Sequence, residues 1–210
     1  MKKEGDTVAV KEVKAILFDL DGTLADSFNA WLKVYNDSLA EFGFKTITKK
    51  QFRSHFGSPI EWDVKENFRG CTVKQVEKSY NRNFFKRTSL VKLFPGAKSA
   101  LKELKKKKYK IGLITGSTKA ITYSLIKKFD LKKYFDLVLT MDDVKRRKPA
   151  PDVVIKACKI LGVKPQNTIL VGDTINDTIA GKKADCITVG YKIQGDYRIN
   201  NLKEVLKFVK

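Results

Sequence analysis

The chain has 210 residues, and its 43 lysine and arginine residues outnumber 23 acidic ones, which gives a formal net charge of +20 at pH 7. A hydrophobic content of 42% excludes a disordered basic tail. No apolar run reaches the ~18 residues of a membrane-spanning helix, and no basic segment followed by an apolar one opens the sequence. We therefore expect a folded chain without a membrane span or a signal peptide.

The positive charge makes a basic nucleic-acid-binding protein an alternative to an enzyme. Only seven of the 43 basic residues are arginine, however, and arginine is the side chain that most often reads phosphate and guanine. A lysine-dominated excess is also typical of thermophile proteins. We therefore treat nucleic acid as a disfavoured partner, and this class of function stays open as the alternative.

Three cysteines lie far apart, at Cys71, Cys158 and Cys186, and none belongs to a CxxC pair. Their spacing argues against a structural zinc site or a disulfide framework. The pattern favours a reducing compartment, so we expect a cytoplasmic protein.

The first predicted strand covers residues 13–20, where a near-continuous apolar run is typical of a parallel strand buried on both faces. A helical region follows. Apolar residues at intervals of three and four predict helices over 27–42, 48–56, 59–68 and 73–87. Since no strand-like run interrupts this region, we interpret residues 26–89 as a helical domain inserted after the first strand.

From residue 97 onward, predicted helices and strands alternate. The helices cover 97–107, 118–129, 151–161, 175–184 and 202–209, and the strands cover 110–115, 135–140, 168–171 and 186–189. This alternation predicts an α/β fold with a doubly wound, Rossmann-like parallel sheet of about five strands. Residues 1–25 and 90–210 would form this core domain.

Ligands of such sheets bind beyond the carboxyl ends of the strands, so the residues at those ends are the candidate site. They are Asp19, Asp21, Gly22, Thr23, Thr115, Gly116, Ser117, Lys148, Gly172, Asp173 and Asp177. Carboxylates without histidine or cysteine ligands suit Mg²⁺, and hydroxyls, backbone N–H groups and a lysine suit phosphate. An aspartate can act as nucleophile, and a second carboxylate two residues on can act as general acid and base. The residues therefore predict metal-assisted phosphoryl transfer.

Four motifs resemble those of the haloacid dehalogenase superfamily of phosphohydrolases, from about residue 13 to the end of the chain. They are Asp19-Leu20-Asp21-Gly22-Thr23, Thr115-Gly116-Ser117, Lys148-Pro149 with Pro151-Asp152, and Gly172-Asp173 with Asp177. In that family, Asp21 stands where phosphate enzymes, unlike dehalogenases, have a proton donor. Phe56-Gly57-Ser58-Pro59 resembles a cap loop of phosphoglycolate-phosphatase-like members. The resemblance thus implies a phosphate enzyme with a helical cap.

The resemblance also implies a role for each motif residue. Asp19 would be the nucleophile and a Mg²⁺ ligand, and Asp21 the general acid and base, with its backbone carbonyl on the metal. Thr115 and Lys148 would be catalytic and would bind the phosphoryl group together with Gly116 and Ser117. Asp173 would complete the metal site, with Asp177 as an indirect partner. In the cap, Gly57 and Ser58, with nearby Arg53, would face the substrate.

The resulting prediction is a Mg²⁺-dependent phosphatase that hydrolyses a small anionic phosphorylated metabolite through an aspartyl-phosphate intermediate. A phosphoglycolate-type monoester is favoured, and a phosphomutase or a pyrophosphatase on the same core is the alternative. The protein would be a monomer or a homodimer. We interpret His55, Trp31 and Trp62 as structural residues, and we expect the surplus lysines, the run at 105–108 included, to raise the local concentration of anionic substrate.

Overall fold

The computed structural model describes residues 12–210, and the first eleven residues of the predicted core domain lie outside the described part. The strands are β1 (Ala15–Phe18), β2 (Ala25–Asp26), β3 (Lys92–Leu93), β4 (Lys110–Ile114), β5 (Leu137–Leu139), β6 (Thr168–Gly172), β7 (Ile187–Tyr191) and β8 (Tyr197–Ile199). The helices are α1 (Phe28–Glu41), α2 (Lys49–His55), α3 (Ile60–Asn67), α4 (Val73–Phe85), α5 (Ala97–Lys106), α6 (Lys119–Lys128), α7 (Asp152–Leu161) and α8 (Ile175–Lys183).

Six strands form one parallel sheet in the order β5-β4-β1-β6-β7-β8. The strand β1 lies at its centre, and all four of its residues are buried, as the apolar run predicts. The direction of winding reverses at β1, because the chain adds β4 and β5 on one side and β6 to β8 on the other. The α/β fold with a doubly wound parallel sheet is therefore confirmed.

The sheet has six strands, in agreement with the prediction of about five, and β8 is the strand that the sequence did not mark. Tyr197 and Arg198 are not fully buried and only Ile199 is, so the three-residue segment carries neither the apolar run nor the alternation that marks a strand. Its pairing with β7 is set by the tertiary fold. The strands β2 and β3 are missed for the same reason, since each has only two residues.

Both faces of the sheet are covered by helices. Alternate residues of β1 point to opposite sides, so that Leu17 packs with α7 and α8 while Ile16 and Phe18 join the larger core beneath α5 and α6. Two separate apolar cores thus hold the sheet rigid from both sides, and its carboxyl edge is a fixed platform.

The helices α1 to α4 lie between β2 and β3, which pair antiparallel with Ala25 opposite Leu93. The two chain crossings between the helical region and the sheet therefore run side by side. Thr48 and Thr72 begin α2 and α4 with capping boxes, in which side-chain oxygens satisfy backbone N–H groups. The division into a core and an inserted domain at 26–89 stays a prediction.

The predicted closing helix at 202–209 differs from the structure in its winding. The structure has a 3₁₀-helix at Leu202–Phe208, begun by Asn201. Leu202 and Val205 are its buried residues, and positions three apart are eclipsed in a 3₁₀-helix, so this winding puts both on one face. No helix among the described residues is long and apolar enough to span a bilayer, and the three cysteines are free thiols.

Candidate active site

Three carboxylates meet at the carboxyl edge of the sheet. Asp19 follows β1 directly, Asp173 follows β6, and Asp177 lies in the first turn of α8. One oxygen of each lies within 4.8 Å of the others. Since Asp19 and Asp177 are buried, this concentration of negative charge is held away from bulk water.

Lys148 supplies the positive charge that reaches this cluster. Its Nζ donates to Asp19 Oδ1 at 2.7 Å and to Asp177 Oδ1 at 2.6 Å. Burial works to lower the pKa of Lys148, but Asp177 and Asp19 outweigh it and hold the ammonium charged. One cation therefore faces three carboxylates.

Burial, together with the negative charge that Lys148 does not offset, raises the pKa values of two of these aspartates. Burial, against the opposing effect of Lys148, holds the pKa of Asp19 well above its ordinary value. Burial and the neighbouring Asp177 raise the pKa of Asp173 to about 7. A further cation among these oxygens would stabilise the ionised forms.

The donor set fits a hard divalent cation such as Mg²⁺, because it consists of carboxylate oxygens without histidine or cysteine. Thr23 Oγ1 donates to Asp173 Oδ1 at 2.7 Å and fixes that carboxylate. Gly22, at φ +87°, lies so close that a Cβ there would stand 2.1 Å from Asp173 Oδ2. The glycine of the first motif thus makes room for the aspartate of the fourth.

The side chain of Asp21 lies outside this three-carboxylate cluster and is held by two donors. Trp31 Nε1, from α1, donates to Asp21 Oδ1 at 3.0 Å, and Ser117 Oγ donates to Oδ2 at 2.6 Å. The carboxyl group lines the cleft beside Asp19, and its role as general acid and base stays a prediction. Its backbone carbonyl stays the predicted metal ligand.

The second motif forms the end of β4. Thr115 is buried, and its Oγ1 accepts the Ser117 N–H at 3.1 Å. Gly116 is exposed to the cleft, and no atom lies within 4 Å of the place where a Cβ would stand. Ser117 also lines the cleft, but its hydroxyl is engaged with Asp21, so it orients that carboxyl group as well as bordering the predicted phosphoryl site.

The loop between α2 and α3 closes the cleft from the helical side. Gly57 and Ser58 both line the cleft, as predicted. The Gly57 carbonyl accepts from Asn176 Nδ2 at 3.0 Å, which ties this loop to α8. Arg53 does not line the cleft: its guanidinium lies 4.5 Å from the centre of the Phe28 ring and borders a neighbouring cavity. The expectation that Arg53 faces the substrate together with Gly57 and Ser58 stays a prediction, because the neighbouring cavity shares Ser58 with the cleft.

The cleft encloses about 990 Å³, the open solvent at its mouth included, and several of its lining residues were not predicted to be functional. These are Trp31, Tyr35, His55, Asp63 and Tyr80. The aromatic residues of α1 and α4 recur at the spacing of ordinary helix packing, so the sequence does not distinguish those that line the cleft from those in the core.

Comparison with known proteins places this geometry in a family. Residues 16–191 match the model of the haloacid dehalogenase-like hydrolases. The chain is 31% identical to the pyrophosphatase PpaX of Bacillus velezensis over 211 residues, covering 93% of this chain and 96% of that protein. It is 28% identical to the phosphoglycolate phosphatase of Nitrosospira multiformis over 195 residues, covering 85% of each.

The crystal structure of CbbY from Rhodobacter sphaeroides in complex with phosphate is similar in fold, with a TM-score of 0.80 and 20% identity, covering 92% of this chain and 96% of that one. The family match spans the strands from β1 to β7, the helical region and all four motifs. The chain therefore belongs to the haloacid dehalogenase-like hydrolase family.

Proposed function

We propose that the protein is a Mg²⁺-dependent phosphatase that hydrolyses a small phosphorylated metabolite through a phosphoryl group carried on Asp19. One observation carries this proposal most directly. A buried carboxylate paired with Lys148 borders the same cleft as Asp21, a second carboxyl group held by Trp31 and Ser117. The family is one of hydrolases, and the two named relatives are a phosphoglycolate phosphatase and a pyrophosphatase.

In the first step, the Asp19 carboxylate attacks phosphorus, and the bond between phosphorus and the leaving oxygen breaks. Asp21, in its protonated form, gives its proton to that oxygen. Lys148, the Thr115 hydroxyl and the Gly116 N–H hold the phosphoryl oxygens. Mg²⁺ bound to Asp19, Asp173 and the Asp21 carbonyl, with Asp177 as an indirect partner, would offset negative charge on the phosphoryl group.

In the second step, Asp21 acts as a base. Its carboxylate takes a proton from a water molecule, whose oxygen attacks the phosphorus of the aspartyl phosphate. The bond between Asp19 and phosphorus breaks, inorganic phosphate leaves, and both carboxyl groups return to their starting states. The same residue thus serves both steps, which explains why both of its oxygens are fixed by donors.

We assign residues 26–89 the role of a cap that covers the cleft and contacts the leaving group. Thr118 donates to Asn81 Oδ1 at 2.6 Å across the two parts, and the Gly57 loop reaches α8. These contacts support the cap role, because they join the helical region to residues at the carboxyl edge of the sheet, where a cap can exclude water from the aspartyl phosphate. Gly57 and Ser58 would then border the substrate.

The names of the relatives make phosphoglycolate and pyrophosphate the first substrates to test, with phosphoglycolate favoured by the sequence resemblance. The nucleic-acid alternative predicts salt-dependent binding that survives Asp19→Asn. The phosphatase proposal predicts hydrolysis of p-nitrophenyl phosphate that requires Mg²⁺, stops with EDTA and is lost in Asp19→Asn by a factor of at least ~10³. Full activity in Asp19→Asn, or none in the wild type on a broad panel of phosphate esters, would contradict it.

A further inference from the structure

The helical side of the cleft carries negative charge. Of the residues of α1 to α4 and their loops that line it, Asp63 and Glu77 are acidic, and none is lysine or arginine. Lys49 and Arg53, the nearest basic residues of α2, border the neighbouring cavity instead. Within the described residues, the leaving group therefore meets aromatic rings, hydroxyls and two carboxyl groups on this side.

Asp63 is a built feature of the cleft, with a side chain that is 10% exposed. Tyr80 donates to its Oδ2 at 2.9 Å, and Tyr35 donates to its Oδ1 at 3.4 Å. Burial raises the pKa of Asp63 to about 7. The pair of tyrosine donors fixes the carboxyl group at the wall of the cleft.

The cations that border the cleft are already engaged. Lys148 is shared by Asp19 and Asp177, and Arg147 Nη1 lies 2.7 Å from Glu61 Oε1. His55 Nδ1 stands 3.8 Å from Asp63 Oδ1, beyond a hydrogen bond, and burial lowers the pKa of its ring, which keeps it neutral at neutral pH. Within the described residues, a second anion on the substrate would have to compete with Glu61 for Arg147, or with Asp19 and Asp177 for Lys148.

We propose that this cleft selects phosphomonoesters whose leaving group is uncharged and rich in hydroxyl groups, as in sugar and polyol phosphates, over those that carry a second anion. Hydroxyl groups can donate to the carboxyl oxygens of Asp63 and Glu77 and to the tyrosine oxygens, and they can accept from Ser58. A carboxylate or phosphate in the same place would face like charge in a partly desolvated site. This inference rests on the proposed phosphatase function, and it favours a sugar or polyol phosphate over phosphoglycolate as the substrate.

The test compares two substrates of similar size, glycerol 1-phosphate and 2-phosphoglycolate, with p-nitrophenyl phosphate as a reference. We expect kcat/KM for glycerol 1-phosphate to exceed that for 2-phosphoglycolate by at least about tenfold. Glu77→Gln and Asp63→Asn should each lower the ratio of these two kcat/KM values by about threefold or more. Glu66→Gln, at an exposed site on α3 outside the cleft, is the matched control and should leave it unchanged.

The ratio of kcat/KM for glycerol 1-phosphate to that for 2-phosphoglycolate should also depend on pH. Between about pH 6 and about pH 8, Asp63 ionises, and its negative charge adds to the repulsion of an anionic leaving group. The titratable groups around it are Tyr35 on α1, His55 on α2, Glu61 on α3 and Glu77 and Tyr80 on α4. The wild-type ratio should therefore rise over this range, and the ratio in Asp63→Asn should rise less.

The outcomes separate the two proposals. If these three esters and the broad panel of phosphate esters all resist hydrolysis, the proposed function fails. If p-nitrophenyl phosphate is hydrolysed and 2-phosphoglycolate is turned over as fast as glycerol 1-phosphate or faster, the phosphatase stands and the selectivity inference is overturned. Should Asp63→Asn fail to fold, Glu77→Gln still decides, since Glu77 has no ion-pair partner among the described side chains.

Discussion

At the scale of single residues, the hydrogen bond from Trp31 Nε1 to Asp21 joins the helical region to the residues that follow β1. Trp31 also packs against Tyr80 and Phe84, so its ring and its Nε1 have separable roles. The ring stabilises the helices, and the N–H fixes Asp21 in the position that both proposed steps use. Removing the N–H alone should therefore affect the chemistry more than the fold.

We expect Trp31→Phe to lower kcat by about tenfold and to change KM by less than about threefold. A hydrogen bond to a charged group contributes ~1.5–3 kcal/mol, and ~1.4 kcal/mol is a factor of ten in rate. Steady-state kinetics on p-nitrophenyl phosphate measures both constants. Trp62→Phe is the control, because Trp62 stacks on His55 without contacting Asp21; an equal loss of kcat there would show a general packing effect.

The aspartates and Lys148 could be predicted from the sequence because each motif follows a strand, and parallel strands end at one edge. Trp31, Asp63 and Tyr80 could not be assigned in the same way. They lie on helices whose apolar spacing fits core packing equally well, and only the tertiary arrangement shows that these faces border a cleft. The fold also determines which side chains of the proposed cap line the cleft, and therefore which charge a leaving group would meet there.

At the scale of elements, the loop of Phe56-Gly57-Ser58-Pro59 joins the helical region to α8. Gly57 has φ +85°, and a Cβ there would lie 2.7 Å from Thr174 Cγ2. Close approach of this loop to the first turn of α8 therefore requires a residue without a side chain. Its contact with Asn176 sets how closely the proposed cap lies over the proposed metal ligands.

Gly57→Ala should lower kcat/KM by about tenfold or more relative to Gly70→Ala. Both glycines have a positive φ, and the strain of ~1–2 kcal/mol for a side chain in that conformation is shared. The Cβ of Gly70 would meet nothing within 4 Å, so only Gly57→Ala pushes the loop off α8. Kinetics and thermal unfolding of both variants measure the difference. Equal kcat/KM in the two variants would show that loop docking is not needed for activity.

Sequence periodicity predicted the long elements because α1, α5 and α7 each present a continuous apolar stripe and β1 an apolar run. It failed at the short ones. The strands β2, β3 and β8 have two or three residues each, too few for a period to appear, and their pairing is imposed by neighbouring elements. The 3₁₀ winding of Leu202–Phe208 likewise comes from packing against the core rather than from local preference.

At the scale of the whole molecule, the net charge of +20 has a distribution that the sequence alone does not reveal. The run at 105–108 ends α5 and precedes β4, so it lies at the amino edge of the sheet, opposite the candidate site. The five residues of β4 span about 17 Å, which exceeds the Debye length of ~10 Å at 0.1 M salt. Lys49, Arg53 and Lys192 lie much nearer, around the cavity that adjoins Asp173.

We therefore expect replacement of Lys106, Lys107 and Lys108 by glutamine to change kcat/KM by less than about twofold at ~0.1 M salt, because their field is screened before it reaches the cleft. The double variant Lys49→Gln, Arg53→Gln should lower kcat/KM at low salt and flatten its dependence on ionic strength. Kinetics across a salt series measures both. A larger effect from the lysine run than from the double variant would restore the original view that the run concentrates the substrate.

The central claim is that Asp19 carries the phosphoryl group and that Asp21 is needed to release it. The most direct measurement is mass spectrometry of Asp21→Asn after rapid acid quenching of a reaction with Mg²⁺ and p-nitrophenyl phosphate, whose leaving group needs little help from a proton donor. We expect the peptide that contains Asp19 to gain one phosphoryl group, and the double variant Asp19→Asn, Asp21→Asn to gain none. Release of phosphate without any phosphorylated peptide, or a phosphoryl group on a residue other than Asp19, would contradict the account.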